Sequence, residues 1–237
     1  MEREIRCGGQ ALHDDETRLI FVRHGQSLGN LHGLFLGHTD LDLSETGYEQ
    51  AELACRYISE HFSVDKIYAS DLMRAHHTVL PLARMLGKDI ELNENFREIF
   101  AGEWEGKSFL EIPELYKESF GVWKRQIGLA VCDGGESVKH LRERVVAATA
   151  DVAAKNLGKT VCIGSHATPI RALACAWKDI PLEKMHELPF PCNASISCAI
   201  YRHGAFARCE CYSYDDYLGA LHTEIHSDGH SDHVSVE

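Results

Sequence analysis

The sequence predicts an α/β fold built on a mostly parallel sheet, and three observations carry that prediction. Short continuous apolar runs, Leu19-Ile20-Phe21-Val22 and Val161-Cys162-Ile163, have the length and composition of strands covered on both faces. Between them lie stretches with apolar residues at helical spacing, so strand and helix alternate and the helices cover the sheet. A pair of strand-like runs near the end, Ser195–Tyr201 and Phe206–Tyr212 with Gly204 in the turn, adds an antiparallel edge and makes the sheet mixed.

Taken in order, residues 1–17 are polar, with acids at Asp14, Asp15 and Glu16, and read as an N-terminal arm. The first apolar run feeds a loop rich in glycine (Gly25, Gly29, Gly33, Gly37). Ser44 then suits an N-cap for a helix to about His61, with Ala51, Leu53, Ala54, Tyr57 and Ile58 as its apolar stripe. A strand is expected near Lys66-Ile67-Tyr68-Ala69. A helix begins after Ser70 and ends at Gly87, a residue suited to the left-handed turn past a helix end.

Residues 103–135 are the least regular part. Trp104, Phe109, Tyr116, Phe120 and Trp123 make the segment aromatic, the character of a lid or specificity wall. A helix is expected from Ser137 to about Asn156. Pro169 stands near the start of another, where its missing N–H costs little. Neither internal repeats nor a low-complexity linker interrupts the chain. Residues 1–237 read as a single domain closed by a polar tail over 222–237.

Composition narrows the function. A net charge of −12 supplies no basic stripe for phosphate backbones, which excludes nucleic acid as a partner. A phosphorylated small molecule would need its own arginines, held against that acidic background. The nine cysteines are scattered and odd in number, so a disulfide framework is not expected. No signal peptide opens the chain, and no apolar run approaches membrane-spanning length, so a cytoplasmic protein without a membrane partner is expected. Oligomeric state is left open.

The chemistry concentrates at Arg23-His24-Gly25, directly after the first strand, where open α/β sheets bind ligands. Neutral imidazole is a nucleophile for phosphorus, and guanidinium grips phosphoryl oxygens bidentately. Cleaving a phosphate ester through a covalent intermediate also needs an acid for the leaving alkoxide. Several glutamates compete for that role: Glu98, Glu94, Glu103 and Glu105, of which Glu105 in Trp-Glu-Gly suits a structural pairing.

The run Arg23-His24-Gly25-Gln26-Ser27-Leu28-Gly29-Asn30 resembles the signature of the histidine phosphatase superfamily, the phosphoglycerate mutase-like family. Four further blocks come after it in the family's order. They are Phe35 to Gly47, Ser70-Asp71-Leu72-Met73-Arg74-Ala75 with Thr78, Glu98 with Gly102-Glu103-Trp104-Glu105-Gly106, and Gly134-Gly135-Glu136-Ser137 with Ser165-His166-Ala167. The resemblance runs from Leu19 to about Asn193. It implies a three-layer α/β/α sandwich with both histidines above the C-terminal edge of the sheet. It implies His24 as the phosphorylated residue, Arg23, Arg74 and His166 as hydrogen-bond donors to the phosphoryl oxygens, and Glu98 as the acid. Ser27, Asn30, Gly37 and Ala167 match positions that touch phosphoryl group or substrate. No cofactor and no metal are implied. Leu36 and Ala167 depart from the mutase pattern, which usually has a hydroxyl residue and a glycine there. The Gly-Gly-Glu-Ser block reads as a cap for the helix after it rather than as catalytic.

Hydrolysis of a small phosphorylated metabolite is therefore the expected activity. Mutase-type phosphoryl transfer and a silent phosphate-compound-binding module are the alternatives. The segment 107–135 is short and holds only Lys107, Lys117, Lys124 and Arg125 as basic residues, which favours hydrolysis. His222, His226, His230 and His233 in the tail would line one face of a helix and bind metal, but Ser227, Gly229 and Ser231 oppose a helix there, and a polar tail without function is the expectation.

Overall fold

The computed structural model describes residues 11–225 and 231–233. In chain order the elements are β1 (Glu16–Arg23), α1 (Leu28–Leu31), α2 (Glu45–His61), β2 (Lys66–Ala69), α3 (Met73–Leu86) and β3 (Ile90–Leu92), then α4 (Ile112–Leu115), α5 (Lys117–Arg125), α6 (Val138–Lys155), β4 (Thr160–Ser165), α7 (Ala167–Trp177), β5 (Ile196–Arg202), β6 (Ala205–Tyr214), β7 (Thr223–Ile225) and β8 (Ser231–His233).

Six strands form one sheet in the order β3-β2-β4-β1-β5-β6. β3, β2, β4 and β1 run parallel, while β5 and β6 add the antiparallel edge. Alternation along a strand sends neighbouring side chains to opposite faces, and β1 thereby serves two cores. Leu19 and Phe21 pack into one with Val145 and Val152 of α6 and Ile170 and Leu173 of α7. Ile20 and Val22 pack into the other with Ala54 and Ile58 of α2 and Val79 and Leu82 of α3. The result is the three-layer arrangement.

The helix signals act as expected. Ser44 Oγ accepts from the N–H of Gly47, and Ser137 Oγ accepts from that of His140. Gly87 ends α3 at φ +61°. Among the described residues, no helix is long and apolar enough to cross a membrane. Among the described residues, seven cysteines are free thiols and Cys211 is disulfide-bonded.

Two boundaries need correction. The strand begins at Glu16, so the polar lead-in does not extend through residue 17. Charge conceals this start, because Glu16 is fully buried and ion-paired with Arg202 (2.9 Å) and Arg208 (2.8 Å). The Thr17 hydroxyl donates to the carbonyls of Ala153 and Asn156. At the other end, Thr223 is fully buried, donates to Asn193 Oδ1 and receives a hydrogen bond from Gln50, so the fold continues past residue 222. Beyond it β7 and β8 pair as antiparallel strands, which rules out the helical histidine face for 223–225 and 231–233. His226 and His230 lie outside the described residues.

Candidate active site

The parallel strands deliver the site. β1 and β4 are neighbours with Arg23 paired to Ser165, so His24 and His166 emerge side by side at their C-terminal ends. β2 lies on the other side of β4 with Ala69 paired to Gly164, which brings Ser70 beside His166 and starts α3, the carrier of Arg74. The chain leaving β3 leads to Glu98. Ligands of open α/β sheets bind at this carboxyl edge.

His24 is held at both ends. Its N–H donates to the Ser165 carbonyl (2.9 Å), and its carbonyl accepts from the N–H of Ala194 and from Asn193 Nδ2. Ring Nδ1 lies 2.7 Å from the Gly25 carbonyl, which can only accept, so Nδ1 is the protonated nitrogen and Nε2 keeps its lone pair. Burial, reinforced by Arg74 and Arg23, holds the imidazole well below its ordinary pKa and therefore neutral. The loop after it is clipped to α2. A Cβ on Gly25 would stand 2.4 Å from the Gly47 carbonyl oxygen, and one on Gly47 would stand 2.0 Å from that of Gln26. Only glycine at both positions permits this approach.

His166 is fully buried, with its ring centroid 5.2 Å from that of His24. Its Nε2 meets Ser70 Oγ at 2.9 Å, and its Nδ1 has no protein partner. Burial, with Arg74 and His24 adding to it, keeps this imidazole neutral too. In the tautomer with Nδ1–H, Nε2 accepts the Ser70 hydroxyl and Nδ1 is a donor ready for a ligand oxygen.

Arg23 and Arg74 are 4% and 1% exposed. Arg23 donates to the Pro191 carbonyl, and Arg74 donates to those of Thr39 (3.0 Å) and Gly37 (2.8 Å). Burial pushes both guanidinium groups down to about 10, which leaves them charged at neutral pH. Gly37 presents its carbonyl from a backbone at φ +53°, and a Cβ there would meet that of Ala101 at 2.6 Å.

Glu98 accepts at Oε1 from the N–H of Ile99 (2.8 Å) and at Oε2 from that of Thr168 (3.2 Å), in the first turn of α7. Its carbonyl is held by Arg144 (2.8 Å) and His38. Arg144 also donates to the carbonyls of Asn95 and Arg97, and it pairs with Glu136. The Gly-Gly-Glu-Ser block thus supports the acid-bearing loop as well as capping α6, a role that spacing alone did not reveal. Glu105 is structural: its carboxylate accepts from the backbone of His38 and Ala101 and from the Thr39 hydroxyl.

A cavity of about 720 Å³ opens above these groups. Arg23, His24, Ser27, Asn30, Gly37, Arg74, Glu98 and Ala167 all line it, whereas His166 lies fully buried against the ring of His24, its Nδ1 left without a protein partner. The Ser27 hydroxyl is committed to capping α1 through Asn30. Asn30 Oδ1 faces Ser27 and Asn193, so its Nδ2 is the group left for a ligand. Phe109, Phe120, Trp123, Lys124 and Ile127 place the aromatic segment on the opposite wall. Thr168, Arg171, Phe190 and Cys192 also line the cavity and were not foreseen. The signal for two of them was their position one and four residues after Ala167, on the cavity face of α7. Among the described residues, Cys192, Asp215 and His222 could hold a metal, with donor atoms within 4.8 Å of one another, although Asp215 already pairs with His222 at 3.0 Å.

Residues 19–212 match the histidine phosphatase superfamily (branch 1). Phosphoserine phosphatase 1 of Hydrogenobacter thermophilus is 36% identical over 183 residues, covering 76% of this chain and 85% of that protein. Among solved structures, YhfR of Bacillus stearothermophilus superposes with a TM-score of 0.80 at 26% identity, covering 85% of this chain and 99% of that one. The phosphoserine phosphatase of Entamoeba histolytica, in complex with 3-phosphoglyceric acid, gives 0.72 at 28% identity and covers 85% and 99%.

Proposed function

Because the chain belongs to the histidine phosphatase superfamily, we propose that it hydrolyses a small phosphorylated metabolite through a phosphohistidine at His24. The observation that carries this reading is the neutral, oriented imidazole, with Nδ1 donating to Gly25 and Nε2 free to attack. The phosphoryl oxygens are received by Arg23, Arg74 and the Nδ1–H of His166. Nε2 attacks phosphorus as the bond to the ester oxygen breaks, and Glu98 gives that oxygen a proton. Water then attacks the phosphohistidine, Glu98 takes its proton, and inorganic phosphate leaves. Two buried guanidinium groups supply the positive charge that the transition state requires, so the reaction is expected to run without a metal.

Hydrolysis is favoured over mutase transfer by the opposite wall. Of the basic residues between 107 and 135, only Lys124 lines the cavity, which is sparse charge for holding a bisphosphate. The test is to incubate the protein with phosphate esters in the presence of chelator, quench, and map acid-labile phosphate. Label on His24 with continued turnover is expected. Full activity in His24→Ala overturns the reading, and efficient interconversion of 3- and 2-phosphoglycerate overturns the choice of hydrolysis.

A further inference from the structure

Arg171 stands outside the group of residues that hold the phosphoryl oxygens, yet it lines the same cavity. It is 4% exposed. One terminal nitrogen donates to the Leu188 carbonyl, the guanidinium lies 4.2 Å from the ring of Phe190, and the buried Nε has no partner. Other arginines of this chain, Arg18, Arg97, Arg144 and Arg208, face a carboxylate. Among the described residues no ion pair does this for Arg171. A buried cation without an anion costs several kcal/mol unless a ligand offsets it.

Position then defines the ligand. Arg171 comes four residues after Ala167 on α7, a rise of about 6 Å along the helix. Ala167 and Thr168 border the phosphoryl pocket at the helix start, and both line the cavity with Arg171. A phosphate at His24 and a second anion at Arg171 are therefore a short distance apart. One guanidinium against an aromatic ring balances a single negative charge, which suits a carboxylate better than a second phosphate.

We infer that Arg171 is the carboxylate-binding residue of this site and that the substrate class is a short phosphorylated acid. The inference rests on the phosphatase reading above. It is tested with matched esters that differ only in the carboxylate: 3-phosphoglycerate against glycerol 3-phosphate, and O-phosphoserine against O-phosphoethanolamine. The native protein is expected to prefer the acid in each pair by kcat/KM. In Arg171→Gln the value for the acid should fall about ten- to hundredfold further than for its partner, the weight of a hydrogen bond to a charged group. Arg171→Lys, which keeps the charge, should recover part of the preference. Equal losses for acid and partner in Arg171→Gln, or no preference in the native protein, overturn the inference. Failure of the phosphatase reading looks different: no ester of either kind is turned over, or His24→Ala remains active.

Discussion

His24 donates its backbone N–H to the carbonyl of Ser165, and that bond sets the backbones of His24 and His166 side by side. It continues the β1–β4 ladder one residue past the pair Arg23 and Ser165, and the rings of His24 and His166 meet at 5.2 Å. A rigid sheet edge is a better platform for two reacting groups than two loops.

The pH dependence should show the neutral state of His24. Its pKa is lowered by burial first, then by Arg74 and Arg23. Protonated imidazole cannot attack, so activity is lost only as pH falls through that lowered pKa, well under the ordinary 6.5 of histidine. Single-turnover phosphorylation of His24 is expected to hold its rate below pH 6.5. In Arg74→Gln the maximum falls and the acid limb moves upward, because one source of repulsion is gone. An acid limb at the same pH in both proteins would contradict the electrostatic account.

Glu98 and Arg144 should behave as one unit. Glu98→Gln is expected to cost about 10²–10⁴-fold in phosphorylation rate with an alkyl phosphate. The cost should shrink with p-nitrophenyl phosphate, whose leaving group needs little protonation. Arg144→Lys loses the fork that holds the carbonyls of Asn95, Arg97 and Glu98, and should show a weaker loss with the same leaving-group dependence. Added to Glu98→Gln it should cost little more. Losses independent of leaving group would reduce Arg144 to a purely structural residue.

Gly47 lies on α2 and touches no substrate, yet Gly47→Ala should lower kcat at least tenfold. Its new Cβ falls 2.0 Å from the Gln26 carbonyl and displaces the loop that orients His24. Gly87→Ala offers a contrast: nothing crowds that site, and only the left-handed backbone is penalised, about 1 kcal/mol. It should lower the melting temperature and leave kcat alone. Kinetics and thermal melts on the two variants separate the effects.

The buried acid at the start of β1 makes a stability prediction. The Arg208 hydrogen bond is the largest of the forces that bring the Glu16 carboxyl down to about 2. A depressed carboxyl pKa stabilises the fold above the unfolded value near 4.5, and that stability is lost as pH falls toward 2. Glu16→Gln should melt below the native protein at pH 7, with the gap closing between pH 4.5 and 2. A gap that does not change with pH would assign the loss to packing alone.

The apolar runs, the caps Ser44 and Ser137, and the stop at Gly87 were legible because they are local signals, and each works through atoms a few residues away. The start of β1 was hidden because Glu16 gains its partners from Arg202 and Arg208, far along the chain. The strand Ile90–Leu92 was missed because it is three residues long and mostly exposed, with no alternation to detect. Ordered blocks brought out the residues of the candidate phosphoryl pocket. Arg144 and Arg171 were missed because charged residues in apparent helices read as solvated until tertiary contacts bury them.

Depth gives the site a further property. His24 is 5% exposed, in a cavity that Phe109, Phe120 and Trp123 also line. A nucleophile so recessed sieves its substrates by reach. Slender metabolites are expected to pass, while a phosphate carried on the surface of a folded protein is expected to be stopped by its own backbone before it meets the imidazole. On the proposed mechanism the same depth is expected to shield the phosphohistidine, leaving water and the alcohol just released as the acceptors that reach it. Hydroxyl-bearing proteins in the surrounding solution are then not expected to take the phosphoryl group.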